Sequence, residues 1–491
     1  MLISITLTLD LLMAFKLRSN LFNFFFSHTG GEKIGEYPDP PPNPSSSDVQ
    51  SPFTEVFSLE GHRNTIRYIC LVRDMLVSCG DDGVLTLWDT ETCKRICSTE
   101  THHLGVSFLY QPAYWHTNSN DSFLLTASPQ VISLWQVAPD RIEHLQDFTG
   151  HSGSVRSLCI IEQGADGVLC AGGTNINIWE RNGHQLKEVS RPLESSYLHH
   201  MLVLNSPGMC RLICASSHPF IEAYSLEKLQ LDNILPPPEW EMYKAKHLRE
   251  NVTQLVEVSK TVFATGSDDG SVILWSLDLL PIIVFNYLRD YCIESHEVIS
   301  IAVEGRANTE RKLISRSFPY TVLCMVVLQQ RYVITGVGRA IKVYDTMVTK
   351  EEPILSVRPA HKSNVTCLAL ISEDTVLVSG AEDGSVRIWV GSEKNTAPPS
   401  LTSVRPLVQC LTSNHYLLLI GEILLHSQQV NGICDLCPLG FASCADNQIY
   451  IYKDTGYVEN TEYTAIRKIL SKSRHPQIRT FFSHLSKPEM T

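Results

Sequence analysis

Ala360-His361 opens, and Ile388-Trp389 closes, a stretch with Ser379-Gly380-Ala381-Glu382-Asp383-Gly384 at its centre. The same arrangement recurs as His62, Ser78, Asp82, Trp88 and as His247, Thr265, Asp269, Trp275. In all three copies the hydroxyl residue lies four before the Asp, and the Trp six after it. An Asp-Gly turn flanked by alternating apolar residues is a strong hairpin signal. The fixed spacing predicts a network inside a small sheet. The Asp orients the His, the His reaches the hydroxyl, and the hydroxyl accepts the indole N–H. A buried indole donor needs such a partner.

Working outward, the aromatic residues that close third strands count the units. They are Trp88, Trp135, Trp179, Tyr224, Trp275, Tyr344, Trp389 and Tyr452, at spacings of 47, 44, 45, 51, 69, 45 and 63 residues. A period of about 40–45 residues, with four short strands per unit, marks the blades of a β-propeller. The chain therefore reads as all-β, a single closed propeller of eight blades with insertions in three intervals. Seven is the alternative if the Tyr224 unit, which lacks an Asp-Gly turn, is not a blade. In blade two, Pro129-Gln130 replaces the Asp turn. Blade three keeps Gly150-His151 and Trp179 without the Asp. In blade six, Gly336-Val-Gly338 reads as a strand turn, because no helix follows to make it a dinucleotide loop. Blade eight has His426, Asp446 and Tyr452, with Ala442 where the hydroxyl is expected.

Residues 53–59 (Phe53-Thr-Glu-Val-Phe-Ser-Leu59) form a strand ahead of Gly61-His62, and no earlier blade exists to receive it. It is expected to pair into the blade containing Tyr452 and close the ring, because an open propeller leaves sheet edges unpaired. Three insertions, at 228–246, 278–318 and 391–415, read as surface loops. Residues 1–52 read as a disordered extension followed by a Pro/Ser-rich linker, with an amphipathic membrane-surface helix as the alternative for the first thirty. Their apolar run is too short to span a bilayer. The propeller is assigned to 53–457. Residues 458–491 hold a short amphipathic helix and a tail, with Tyr463, Ile466, Ile469 and Leu470 on one helical face.

The net charge of −12 over 491 residues argues against general nucleic-acid binding, which needs a basic face. The 15 Cys are odd in number and lack framework spacing, as in a cytosolic protein with reduced, mostly buried thiols. Cys434 and Cys437 have ligand-like spacing, but no second pair completes a tetrahedral site. No metal or other cofactor is expected. Neither a nucleophile–base pair nor a phosphate loop appears, so an enzyme is not expected either.

The His–Asp–Trp spacing identifies the chain as a member of the WD-repeat (WD40) propeller superfamily, which specifies a fold and hardly a function. Finer features are the 53–59 strand, the order of complete and degenerate blades, Val337-Gly-Arg339 before Tyr344, Leu418-Leu-Ile-Gly-Glu-Ile-Leu-Leu425 before the last His, and the C-terminal helix. Together they resemble the family of WD repeat-containing protein 41, over residues 53–470. The resemblance implies an eight-bladed, non-catalytic subunit of a complex with two DENN-type proteins, acting in autophagy and lysosomal signalling. The GTPase-activating activity then lies in the DENN subunits. It also implies a cytoplasmic protein, not membrane-spanning, recruited to the lysosomal surface through an amino-acid transporter. In that family the first strand and the C-terminal helix meet the DENN partner, and the matching residues here are Phe53, Val56, Phe57, Tyr463, Ile466, Ile469 and Leu470. One departure is that 391–415 contains no Phe, Trp or Tyr, unlike the family's aromatic tethering loop. The alternative reading is a substrate receptor of a cullin-type ubiquitin ligase, or another generic WD40 scaffold. Such receptors often carry Trp-Asp-x-Arg, whereas Trp88-Asp89 is followed here by Thr90-Glu91.

Overall fold

The computed structural model describes residues between 53 and 453, apart from 113–121, 226–241, 286–320, 394–406 and breaks of five residues or fewer. The described residues form thirty-two strands in eight four-stranded antiparallel sheets. Their first strands are Ile66–Val72, Phe108–Tyr110, Ser157–Ile161, Leu198–Ser206, Val252–Ser259, Val322–Leu328, Val365–Ile371 and Val430–Asp435. Each touches the next, and the last touches the first. The result is a closed eight-bladed propeller with the first strands at its hub. The Tyr224 unit is a full blade, made of Leu198–Ser206, Met209–Ser216, Phe220–Ser225 and Met242–Lys246. The seven-bladed alternative is thereby excluded.

Sequence alternation is weak in the middle strands because both of their faces are buried, as in any sheet covered on two sides. In blade seven, all six residues of Val376–Ala381 are buried. Leu377 and Trp389 pack with Ile341 and Val343 of blade six. Val378 and Ile388 pack with Phe441 and Tyr452 of blade eight. Alternate residues of one strand thus fill alternate seams. Glycines near the ends of second strands let the next blade lean in. A Cβ on Gly380 would lie 2.7 Å from both Cys367 Sγ and Val430 Cγ1, and one on Gly336 would lie 2.6 Å from Cys324 Sγ.

The ring closes as the sequence predicts. Strand Glu55–Glu60 runs antiparallel to Gln448–Lys453 and is the outer strand of blade eight, with Val56 opposite Tyr452. Phe53 precedes this strand and is buried edge-on against Phe441, at 5.0 Å between ring centroids. Asn431 Nδ2 donates to the Ile66 carbonyl across the seam at 2.8 Å, and Lys453 Nζ donates to the Glu91 carbonyl at 2.6 Å.

The predicted insertions need trimming. Met242–Lys246 is the outer strand of blade four, and Pro281–Phe285 that of blade five. In blade seven the third strand runs on to Glu393, and the outer strand begins at His415. An outer strand has one hydrogen-bonded neighbour and one solvated edge, so its pattern resembles a loop more than a core strand. The extension 1–52 and the C-terminal helix lie outside the described residues.

Candidate interaction site

Blade one carries the expected network. His62 Nδ1 meets Asp82 Oδ2 at 2.8 Å, and His62 Nε2 meets Ser78 Oγ at 2.7 Å. Trp88 Nε1 donates to Ser78 Oγ at 2.8 Å. Blade seven departs from it in one bond. His361 Nε2 meets Ser379 Oγ at 2.6 Å, and Trp389 Nε1 donates to the same oxygen at 2.8 Å. His361 Nδ1, however, meets Ser385 Oγ at 2.8 Å, and it is Ser385 that donates to Asp383 Oδ1 at 2.5 Å. The carboxylate therefore orients this histidine through a hydroxyl. In blade five Trp275 Nε1 donates to Thr265 Oγ1 at 2.8 Å, while His247 and Asp269 lie outside the described residues.

Blade eight corrects the reading that Ala442 stands in the hydroxyl's place. The hydroxyl is Ser443, which meets His426 Nε2 at 2.7 Å and donates to the Tyr452 hydroxyl at 3.2 Å. The required hydroxyl sits two residues beyond the one facing the aromatic. Leu76 faces Trp88, so the position is Ser78; Phe441 faces Tyr452, so it is Ser443. Counting back from the Asp fails because this hairpin is one residue shorter. Asp446 lies in the tight turn itself, at φ 49°. The same rule finds Thr126, which accepts from Trp135 Nε1 at 2.8 Å in blade two. In blade three it finds Ala171, which has no hydroxyl. There His151 Nε2 turns to the Ala171 carbonyl at 3.3 Å, and Trp179 Nε1 to the Thr149 carbonyl at 3.2 Å.

Two buried ion pairs had no signal in the repeat spacing. Arg191 Nε and Nη2 donate to the two oxygens of Glu222, each at 3.0 Å, with both side chains fully buried. The Tyr224 hydroxyl donates to the same carboxylate at 2.7 Å. In blade seven, Arg387 donates to Glu422 Oε1 at 2.9 and 2.6 Å and to the Ala360 carbonyl at 2.5 Å. Glu222 and Arg387 both stand two residues before the closing aromatic. A charged residue buried there must be paired, and here both are.

The arrangement most suited to contact is the outer edge of blade eight. Glu55 faces Lys453, so the chain enters and leaves the propeller side by side. Val56 is 41% exposed, Phe57 is half-buried beneath Lys453 Nζ at 4.9 Å from its ring centroid, and Phe53 is held in the core. The far side of this strand has no partner strand among the described residues. A free strand edge offers main-chain donors and acceptors, beside which the exposed Val56 adds apolar surface. Tyr463, Ile466, Ile469 and Leu470 lie outside the described residues. Cys434 is in a strand of this blade, its thiol pushed up to about 12 by burial, and Cys437 lies outside the described residues.

A model of the WDR41 β-propeller family matches residues 45–460. WD repeat-containing protein 41 of Mus musculus is 24% identical over 436 residues, which is 82% of this chain and 88% of that protein. Its counterpart in Homo sapiens is 25% identical over 435 residues, at 83% and 88%. Among solved structures, the computationally designed protein Ika8 superposes with a TM-score of 0.54 at 15% identity, covering 80% of this chain and 98% of that one.

Proposed function

The chain belongs to the WDR41 β-propeller family, and from that membership we propose that it is the non-catalytic scaffold subunit of a DENN-protein complex. In this reading the complex controls small-GTPase activation in autophagy and lysosomal signalling, and the propeller recruits it from the cytoplasm to lysosomes through an amino-acid transporter. WD40 propellers are in general interaction scaffolds rather than catalysts. The observation that carries the finer reading is the pairing of Glu55 with Lys453. It places the first and last described strands side by side in blade eight, next to a strand edge without a partner strand among the described residues. Partner binding at this edge combines strand addition with burial of the apolar stripe expected in 458–491. If Ile466, Ile469 and Leu470 bury fully, each contributes about 1.5–3 kcal/mol before ordering costs.

Co-purification from native cells tests the proposal. The Ile466→Asp/Leu470→Asp double variant should lose the DENN-type partner while keeping the wild-type melting curve, and Val56→Asp should weaken capture. Capture unimpaired by all three changes would move the contact to the loop faces. Recovery of cullin adaptors in place of DENN-type proteins would replace the proposal with the ubiquitin-ligase reading.

A further inference from the structure

At the hub, one position near the start of the first strand behaves differently around the ring. The first strands of blades one, four, five, six, seven and eight each carry a register shift just after their first residue. Such a bulge re-aims one side chain. In blades five, seven and eight that side chain latches onto the next blade. Thr253 Oγ1 donates to the Val322 carbonyl at 2.6 Å, Thr366 Oγ1 to Val430 at 2.7 Å, and Asn431 Nδ2 to Ile66 at 2.8 Å. In blade six the bulged residue is Leu323, and the neighbouring Cys324 thiol reaches the Val365 carbonyl instead, at 3.7 Å. In blade one the residue is Arg67, held by both oxygens of Asp81 at 2.9 and 2.7 Å.

Blades three and four are different. Five residues after the loop histidine, where blades one, seven and eight place Arg67, Thr366 and Asn431, blade three has Arg156. Its guanidinium is exposed, lies 5.0 Å above the Tyr197 ring and makes no ion pair among the described residues. The bulged residue of blade four is His199, half-buried beside it. Burial first, and the Arg156 charge second, hold the His199 imidazole below its ordinary pKa. The position that ties one blade to the next in blades five, seven and eight here presents a cation, fixed on an aromatic face and paired with no carboxylate among the described residues. Stacking restrains the guanidinium and leaves N–H groups in the fork geometry that matches a carboxylate.

We propose that Arg156, stacked on Tyr197 with His199 beside it, is a recognition point for the carboxylate side chain of an acidic peptide at the inner end of the seam between blades three and four. The chain's net charge of −12 repels acidic peptides overall, so such binding must be local. The test is fluorescence anisotropy with fluorescein-labelled hexaglutamate, and with hexaglutamine as the neutral control. Hexaglutamate should bind the full chain saturably and hexaglutamine should not. Arg156→Gln should weaken binding about tenfold or more, as for loss of a charged hydrogen bond, with an unchanged melting midpoint. Arg67→Gln, removing a cation already paired, should leave the affinity within about twofold. Absence of saturable binding, equal binding by Arg156→Gln, or an equal loss in both variants would overturn the proposal.

Discussion

At the scale of single residues, one hydroxyl oxygen in each of blades one, seven and eight serves both the loop histidine and the closing aromatic. Ser379 Oγ serves both His361 and Trp389, and Trp389 is fully buried. Trp389→Ala should therefore cost about 3–5 kcal/mol, and Asp383→Ala, which strands the Ser385 hydroxyl, about 1–3 kcal/mol. Equal denaturant midpoints for wild type and Trp389→Ala would contradict this. The histidines add a pH dependence. Burial, then the nearby Arg387, takes His361 down to about 3, against a smaller opposing pull from Asp383. Burial alone takes His426 to about 4. Unfolded histidine titrates near 6.5. The fold thus favours the neutral ring, and the unfolded chain takes up protons that the folded chain refuses. The contribution is complete above pH 6.5 and falls away as the pH drops toward 4 and 3. Urea midpoints measured from pH 7 to 4 should fall less steeply in His361→Gln than in wild type. Much of this was legible in the sequence, because Ser, Asp and Trp lie on one short hairpin at fixed offsets. Ser443 was misread because its hairpin lost one residue. Arg191 was invisible because its partner Glu222 is brought near by the seam and not by the chain.

At the scale of elements, the strands were legible where turns punctuate them and obscure where insertions intervene. Met242–Lys246 pairs with Phe220–Ser225 only after a long excursion, and no Asp-Gly turn announces it. The seams between blades follow a rule that sequence hints at through its glycines. Gly380 sits where the first strand of blade eight leans on the second strand of blade seven, and Val430 Cγ1 occupies the space a side chain would need. The nearest atoms belong to the buried, β-branched Val430 and to the half-buried thiol of Cys367. Gly380→Val should cost about 1–3 kcal/mol through overpacking, with protection from hydrogen exchange lost first along Val430–Asp435. Unchanged exchange in that strand would show that the seam is slack.

At the scale of the whole molecule, stability depends on a ring closed by its own beginning. Strand Glu55–Glu60 is separated from its partner Gln448–Lys453 by the whole propeller, and the pairing supplies blade eight with its outer strand. Phe53 and Leu59 are 4% and 2% exposed, one packed on Phe441 and the other among Trp88, Leu76 and Ile449 of the closing seam. Burial of these two side chains alone contributes about 1.5–3 kcal/mol each, before the main-chain ladder is counted. Lys453 then spans from the same edge to the Glu91 carbonyl of blade one, so loss of the strand also exposes that latch. A chain beginning at Gly61 should therefore unfold at a denaturant concentration lower by the equivalent of about 3–6 kcal/mol, with blades eight and one exchanging their amides ahead of blades three to five. Because the missing piece is a single edge strand, a synthetic peptide of residues 50–60 added in excess should restore the midpoint in a concentration-dependent way, as binding to the folded state alone requires. A peptide in which Phe53 and Leu59 are both Asp should fail to do so. Full stability of the shortened chain without peptide would mean that the ring is held by its eight inner seams and that the outer strand is free for a partner to take.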